Sequence, residues 1–163
     1  MERVQTYKYL GVLIDDKLTF TDHTHAVNKK CQQRLYLLRK LSRLHVNTDI
    51  LHTYYRCHLE SILTYAFLAW YGGIAEGEKK KLAKTVNLGS KLCWGGECKQ
   101  LSKLYDSRTL KKAKKIVRDQ SHTLNSFFTL LPSGRRYCVL DGKKNRTRNS
   151  FVYRAINLLN KSK

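Results

Sequence analysis

Between Tyr7 and Ile14 apolar and aromatic side chains crowd into the run YKYLGVLI, whose β-branched and aromatic content suits a short strand. Asp15, Asp16 and Lys17 then supply turn chemistry, and Leu18-Thr19-Phe20 is either a brief return strand or an entry loop. Gly11 falls mid-strand, a position that marks a bulge or a close backbone approach. A two-stranded hairpin is not stable alone, so it must lie on the helices that follow or on something upstream. The apolar period then lengthens. Val27, Cys31, Leu35, Leu38 and Leu41 recur at three- and four-residue spacing, predicting a helix capped by Thr21 or Asp22 and running to about Leu44. Its opposite stripe, Lys29, Gln33, Tyr36, Lys40 and Arg43, is polar and basic with one aromatic.

A second helix is predicted from Asp49 to about Tyr71, capped by Thr48 and ended by Gly72-Gly73. Ile50, Tyr54, Leu59, Leu63, Phe67 and Trp70 put apolar groups nearly all round it, so it is expected to be the buried centre. A third helix, from Glu78 to about Trp94, turns Leu82, Val86 and Leu92 inward and breaks at Gly95-Gly96. A short segment at Leu101, Leu104 and Tyr105 leads to a fourth, Ser107 to Arg118, with Leu110, Ala113, Ile116 and Val117 inward. An apolar patch at Leu124, Phe127, Phe128, Leu130 and Leu131 closes at Pro132-Ser133-Gly134, and a last helix runs from Phe151 to Leu159. The fold class is therefore mostly α. A short N-terminal β-hairpin (1–20) precedes a helical bundle (21–95) and a basic helical and loop region (96–163).

Charge sharpens this division. The chain of 163 residues holds 32 Lys/Arg against 12 Asp/Glu, a net +20. Residues 1–75 contribute +4 of this and residues 76–163 contribute +16. Such an excess disfavours compaction unless a polyanion shares the surface, which points to nucleic acid first and anionic membrane second. Lys111, Lys112 and Lys115 on the outer face of the fourth helix, and Arg135-Arg136 beside Tyr137, suit phosphate contact and base stacking. Residues 141–149 form a basic loop.

Five cysteines at irregular spacing, with no signal peptide before them, read as reduced thiols of an intracellular protein, cytoplasmic or nuclear. Cys93, Cys98 and His122 hint at zinc, but a second ligand pair at knuckle spacing is missing, so neither metal nor cofactor is expected. Arg56 and Glu60 leave too short an apolar run for a membrane span.

Taken in order, the segments KYLGVLIDDKLTFTDHTHAVNKKCQQRLYLLRKL, YYRCHLESILTYAFLAWYGG, KKLAKTVNLGSKL, LLPSGRRY and NSFVYRAINLLN resemble the C-terminal part of reverse transcriptases of LINE-type, jockey-like non-LTR retrotransposons. In that family an aromatic-Lys-Tyr-Leu-Gly stretch forms the primer-grip hairpin, and the helices after it form the thumb. The resemblance implies a thumb-like bundle holding an RNA–DNA duplex or RNA, with Tyr9 and Gly11 near the primer's end. It also implies an upstream palm and fingers domain absent from this chain. The Tyr-Ala-Asp-Asp type of segment that holds two metal ions in that family does not occur, and Asp15-Asp16 reads as turn residues, so no polymerase activity is expected. Two alternatives stand beside it. One is a helical protein-interaction or regulatory module anchored on Phe127-Phe128. The other groups residues 22–60 with the N-terminal segment of AlkB-type tRNA-modifying dioxygenases. That activity itself is not expected, because His23 and His25 flank no strand pattern that would build a His-x-Asp…His triad.

Overall fold

A computed structural model describes residues 4–94 and 100–162. The chain is mostly helical, with one antiparallel hairpin at its start and helices thereafter. It divides into two compact units, with the division in the sequence between Leu101 and Ser102.

The hairpin pairs β1 (Thr6–Tyr9) with β2 (Val12–Asp15) in the register Thr6↔Asp15 to Tyr9↔Val12. Its turn is therefore Leu10-Gly11, and the strand expected to run unbroken through Gly11 is in fact two strands. Leu10 (φ 44) and Gly11 (φ 83) both lie in the left-handed region, as a two-residue turn matched to strand twist requires. The glycine is thus a turn residue. The turn expected at Asp15-Asp16-Lys17 is present, the Leu18 amide donating to Asp15 O at 2.9 Å, and Asp15 has a second task beside it. Its carboxylate accepts from the Phe20 and Thr19 amides (2.7 and 2.9 Å) and from the Thr19 hydroxyl, folding residues 16–20 into an entry loop.

That loop delivers the chain to α1 (Thr21–Arg43), whose N-cap is Phe20 rather than Thr21 or Asp22. His23, Thr24, Val27, Cys31, Leu35 and Leu38 are buried along one face, and His45 (φ 51) takes the left-handed position that ends the helix. The face packs on α5 (Glu76–Trp94), which buries Leu82, Thr85 and Val86. A polar seam crosses the contact: Gln32 Nε2 donates to Thr85 Oγ1 (3.0 Å), which donates to Asn28 Oδ1 (2.9 Å). At Gly89 the ring of Tyr55 comes so close that an added Cβ would sit 2.6 Å from its Cε2.

The expected single helix from Asp49 to Tyr71 is instead a broken one. Asn47, not Thr48, caps α2 (Thr48–Tyr54), its side chain accepting from the Asp49 amide at 3.0 Å. A π-helical turn follows over Tyr55–Glu60, then α3 (Ser61–Thr64), then a break where Tyr65 is extended and Ala66 (φ 47) left-handed, then α4 (Phe67–Trp70). The break frees the Tyr65 carbonyl, and the Trp70 indole N–H fills it at 2.8 Å. Trp70 is fully buried, edge-on to both His23 and Phe67. Tyr65 is thrown outward, and its hydroxyl donates to the Leu10 carbonyl at 2.6 Å, latching the hairpin turn to the bundle.

In the second unit α6 (Leu101–Arg118) is one continuous helix, absorbing the short segment expected before it. Ala113, Ile116, Phe128, Tyr137, Ala155, Ile156 and Leu159 form the core, the last three from α8 (Phe151–Lys161). A short α7 (Asn145–Arg148) lies within the stretch read as a basic loop. Arg154 of α8 donates to Asp106 of α6 at 2.5 Å.

Candidate nucleic-acid interface

The predicted α1 stripe is where the spacing put it. Lys29, Gln33, Tyr36, Lys40 and Arg43 are all exposed, opposite the buried face. Tyr36 is 55% exposed, and Lys40 Nζ lies 4.8 Å from its ring centroid, so one face of the ring already carries a cation. Tyr9 and Gly11 are exposed at the hairpin, apart from the role of the turn described above. Lys8 and Lys30 rim a cleft of about 540 Å³ between hairpin, α1 and α3, floored by Leu13, Ala26, Val27 and Ile62.

One histidine, His23, lines this cleft. His23 Nδ1 accepts from the Leu13 amide (3.3 Å), which leaves the proton on Nε2. Burial, with Lys30 nearby, pushes its pKa down and keeps the ring neutral. His25 lies 3.5 Å from Glu78. Glu78 sits below the usual carboxylate range, chiefly through its hydrogen bond from Lys81.

The second unit is the more heavily charged. Residues 102–163 hold 16 Lys/Arg and 3 Asp/Glu. All three acids are engaged locally: Asp106 with Arg154, Asp141 with Lys143, and Asp119 with the Ser121 amide and hydroxyl. Lys111, Lys112, Lys114 and Lys115 are exposed on α6 while Ala113 and Ile116 point into the core. Lys111, Lys115 and Arg118 recur at four- and three-residue spacing, so like charges stack along one flank, which costs a few tenths of a kcal/mol per pair. Arg135 and Arg136 are exposed and pair with no carboxylate among the described residues. Tyr137 beside them is buried, its ring 6.4 Å from and edge-on to Phe128, so the expected base stacking by Tyr137 does not hold. Phe128 is likewise core. Of the Phe127-Phe128 anchor expected for a protein partner, only Phe127 is exposed.

Of the three side chains behind the metal hint, Cys93 and His122 are described. The Cys93 thiol donates to the Leu51 carbonyl and burial pushes its pKa up to about 11, while His122 Nδ1 accepts from the Leu124 amide. Cys98, like Gly95-Gly96, lies outside the described residues. Among those described, no three His, Cys, Asp or Glu side chains gather as a metal site.

Fold and charge together define a class: a small, mostly helical, strongly basic protein with a latched N-terminal hairpin. The family model described as "Alkylated DNA repair protein alkB homolog 8, N-terminal" matches residues 20–61, from the end of the entry loop through α1, α2 and the π turn. That is about a quarter of the chain, a similarity of one segment. No curated protein and no solved structure is matched. The match overturns the reverse-transcriptase resemblance, and with it the LINE, thumb and retrotransposon-fragment assignments, since nothing in the comparisons points to such a polymerase. The grouping of residues 22–60 with the AlkB-type N-terminal segment is the reading they support. The motifs that carried the overturned resemblance have local structural work here: Leu10-Gly11 closes the hairpin turn, and Pro132 and Gly134 shape a turn in the second unit.

Proposed function

We propose that the chain is a non-catalytic nucleic-acid-binding protein whose first helices form a segment comparable with the N-terminal region of alkB homolog 8. What carries this reading is uncompensated charge. Residues 102–163 hold 16 cations against 3 acids, and each acid is already held by a neighbour. Like charges stacked on α6 oppose that helix unless phosphates neutralise them. The matched family is described as a DNA repair protein, which is consistent with a partner of this kind. The Lys29-to-Arg43 stripe of α1 is a second set of cations, with Tyr36 as its aromatic.

Binding of this type is sequence-tolerant, because phosphate contacts position a protein without reading bases. RNA and an RNA–DNA duplex both offer the required charge. Such a protein works where thiols stay reduced, in the cytoplasm or nucleus, and needs no cofactor.

Fluorescence anisotropy of the whole protein with labelled RNA tests the reading. Affinity should fall steeply between about 50 and 200 mM salt, the logarithmic slope giving about −0.7 per single-strand phosphate neutralised. A protein that leaves RNA and DNA unbound at low salt, or binds with a flat salt response, rules it out.

A further inference from the structure

Between Thr129 and Cys138 the second unit carries a small antiparallel tongue. Leu130 and Tyr137 form its bridge, the Cys138 amide donates to Thr129 O and the Leu131 amide to Arg136 O, both at 2.8 Å. Its turn closes by the Gly134 amide donating to Leu131 O at 2.8 Å, with Pro132 setting the first bend and Gly134 at φ 67. At the base, one side chain satisfies both backbone groups of the buried Tyr137. The Tyr137 amide donates to Asn160 Oδ1 (2.8 Å), and Asn160 Nδ2 donates to Tyr137 O (3.1 Å). The Asn160 amide thus stands in for a neighbouring strand and pins the tongue to α8.

Above that pin every residue from Leu130 to Arg136 is exposed. Arg135 and Arg136 have no carboxylate partner among the described residues; on the same tongue Leu130 and Leu131 are 50% and 40% exposed, and Phe127, two residues before it, is 45% exposed. A short tongue that carries both free guanidinium groups and uncovered apolar side chains calls for a partner that brings phosphate and apolar surface together. A duplex offers only half of this, since its base faces are stacked inside. An unpaired strand offers both.

We propose that this tongue gives the protein a preference for single-stranded nucleic acid. Arg135 and Arg136 take backbone phosphates, Leu130, Leu131 and Phe127 cover unstacked bases, and Asn160 acts as a positioning residue. The inference rests on the nucleic-acid reading above and adds the strand state of the partner. An anionic membrane would present phosphate and apolar surface too, and is the rival the test must separate.

The experiment uses the full chain with labelled single-stranded and blunt duplex oligonucleotides of equal length, and vesicles with and without anionic lipid. The single strand should bind at least about tenfold tighter than the duplex, the scale of one lost base–aromatic stack such as Phe127 would make. Changing Arg135 and Arg136 together to Ala should weaken that binding and flatten the logarithmic salt slope by about 1.4, two phosphates' worth. Changing Leu130 and Leu131 together to Ser should erase the strand preference with the slope unchanged. Asn160→Ala should lower single-strand affinity and flatten the slope while duplex binding, carried by the lysines, stays. Equal affinity for both forms, a wild-type slope in the Arg variant, or strand preference surviving the Leu change overturns the tongue but leaves the broader reading. Tight binding to anionic vesicles, abolished by the Leu change, with no strand preference, replaces it with a lipid surface. Loss of duplex and single-strand binding alike in Asn160→Ala removes the positioning role. Absence of any nucleic-acid binding at low salt rejects both proposals.

Discussion

Gly89 shows how one residue can invert a general rule. In a helix interior, Gly→Ala ordinarily stabilises by about 1 kcal/mol through helix propensity. Here the new Cβ would lie 2.6 Å from Tyr55 Cε2 and 3.1 Å from Cδ2, with Leu35 Cδ2 at 3.4 Å behind it. Tyr55 and Leu35 are themselves buried, so the ring has nowhere to retreat. Overpacking costs about 1–3 kcal/mol and outweighs the propensity gain. Urea unfolding of Gly89→Ala should therefore show a lower midpoint than the wild type, and a higher one would mean that the ring yields. Asp15 makes a second residue-level case. Partial burial pushes its carboxyl up, yet hydrogen bonds from Thr19 and Phe20 outweigh this and hold it below the ordinary value. A group depressed in the folded state stabilises fully above the unfolded pKa of about 3.9, and loses that contribution as pH falls through the folded value. Asp15→Asn should accordingly lose less stability than the wild type on acidification from about pH 6 to about pH 3, and equal losses would contradict the assigned role. The cysteines divide on the same physical basis. Burial pushes the Cys31 thiol up to about 12, whereas Cys57 and Cys138 are exposed. Alkylation followed by peptide mapping should mark Cys57 and Cys138 in the native protein, and Cys31 only after denaturation.

At the scale of elements, what was legible in the sequence was periodicity. The burial of Val27, Cys31, Leu35 and Leu38 along α1, of Leu82 and Val86 on α5, and of Ala113 and Ile116 on α6 follows from three- and four-residue spacing. Hidden from it were the places where one side chain takes over a backbone hydrogen bond. The segment after Thr48 has the composition of one long buried helix, yet it winds into a π turn and breaks at Tyr65-Ala66 because the Trp70 indole can replace the lost backbone bond. The turn at Leu10-Gly11 was missed because Asp15-Asp16-Lys17 carries the stronger local turn chemistry; that stretch does turn, the Leu18 amide donating to Asp15 O, while the Asp15 carboxylate also takes the Thr19 and Phe20 amides. In the candidate interface, exposure of the cations was legible, but burial of Tyr137 and Phe128 and the Asn160 pin were not. They depend on how the tongue folds onto α8. One contact joins the two surprises of the first unit, for the tyrosine expelled at the helix break is the one that latches the hairpin turn. Tyr65→Phe removes a 2.6 Å hydrogen bond to Leu10 O, worth about 0.5–1.5 kcal/mol. The expected signature is faster amide exchange in residues 12–15, with exchange in α5 unchanged. Uniform acceleration in both elements would show that the hairpin is no separate opening unit.

For the molecule as a whole, a net charge of +20 sets two salt effects against each other. In the free protein, repulsion among cations opposes the folded state, and added salt screens it, the Debye length falling from about 30 Å at 0.01 M to about 8 Å at 0.15 M. The surface ion pairs that salt would weaken, such as Lys79–Glu76 and Lys81–Glu78, contribute at most about 1 kcal/mol each. They are also few beside the surplus of cations in a chain with 32 Lys/Arg and 12 Asp/Glu. Repulsion therefore dominates, and the melting temperature of the free protein should rise with salt. Bound nucleic acid reverses the sign. A ligand that binds only the folded state adds about 2.7 kcal/mol at a hundred times its Kd, and salt raises that Kd. With saturating RNA, the melting temperature should be high in dilute buffer and descend with salt until it meets the curve of the free protein. Calorimetry on the two samples across one salt series checks both halves. A free protein that melts lower as salt is added would mean that its ion pairs outweigh its repulsion, and two curves that coincide at low salt would mean that RNA leaves the cations uncovered.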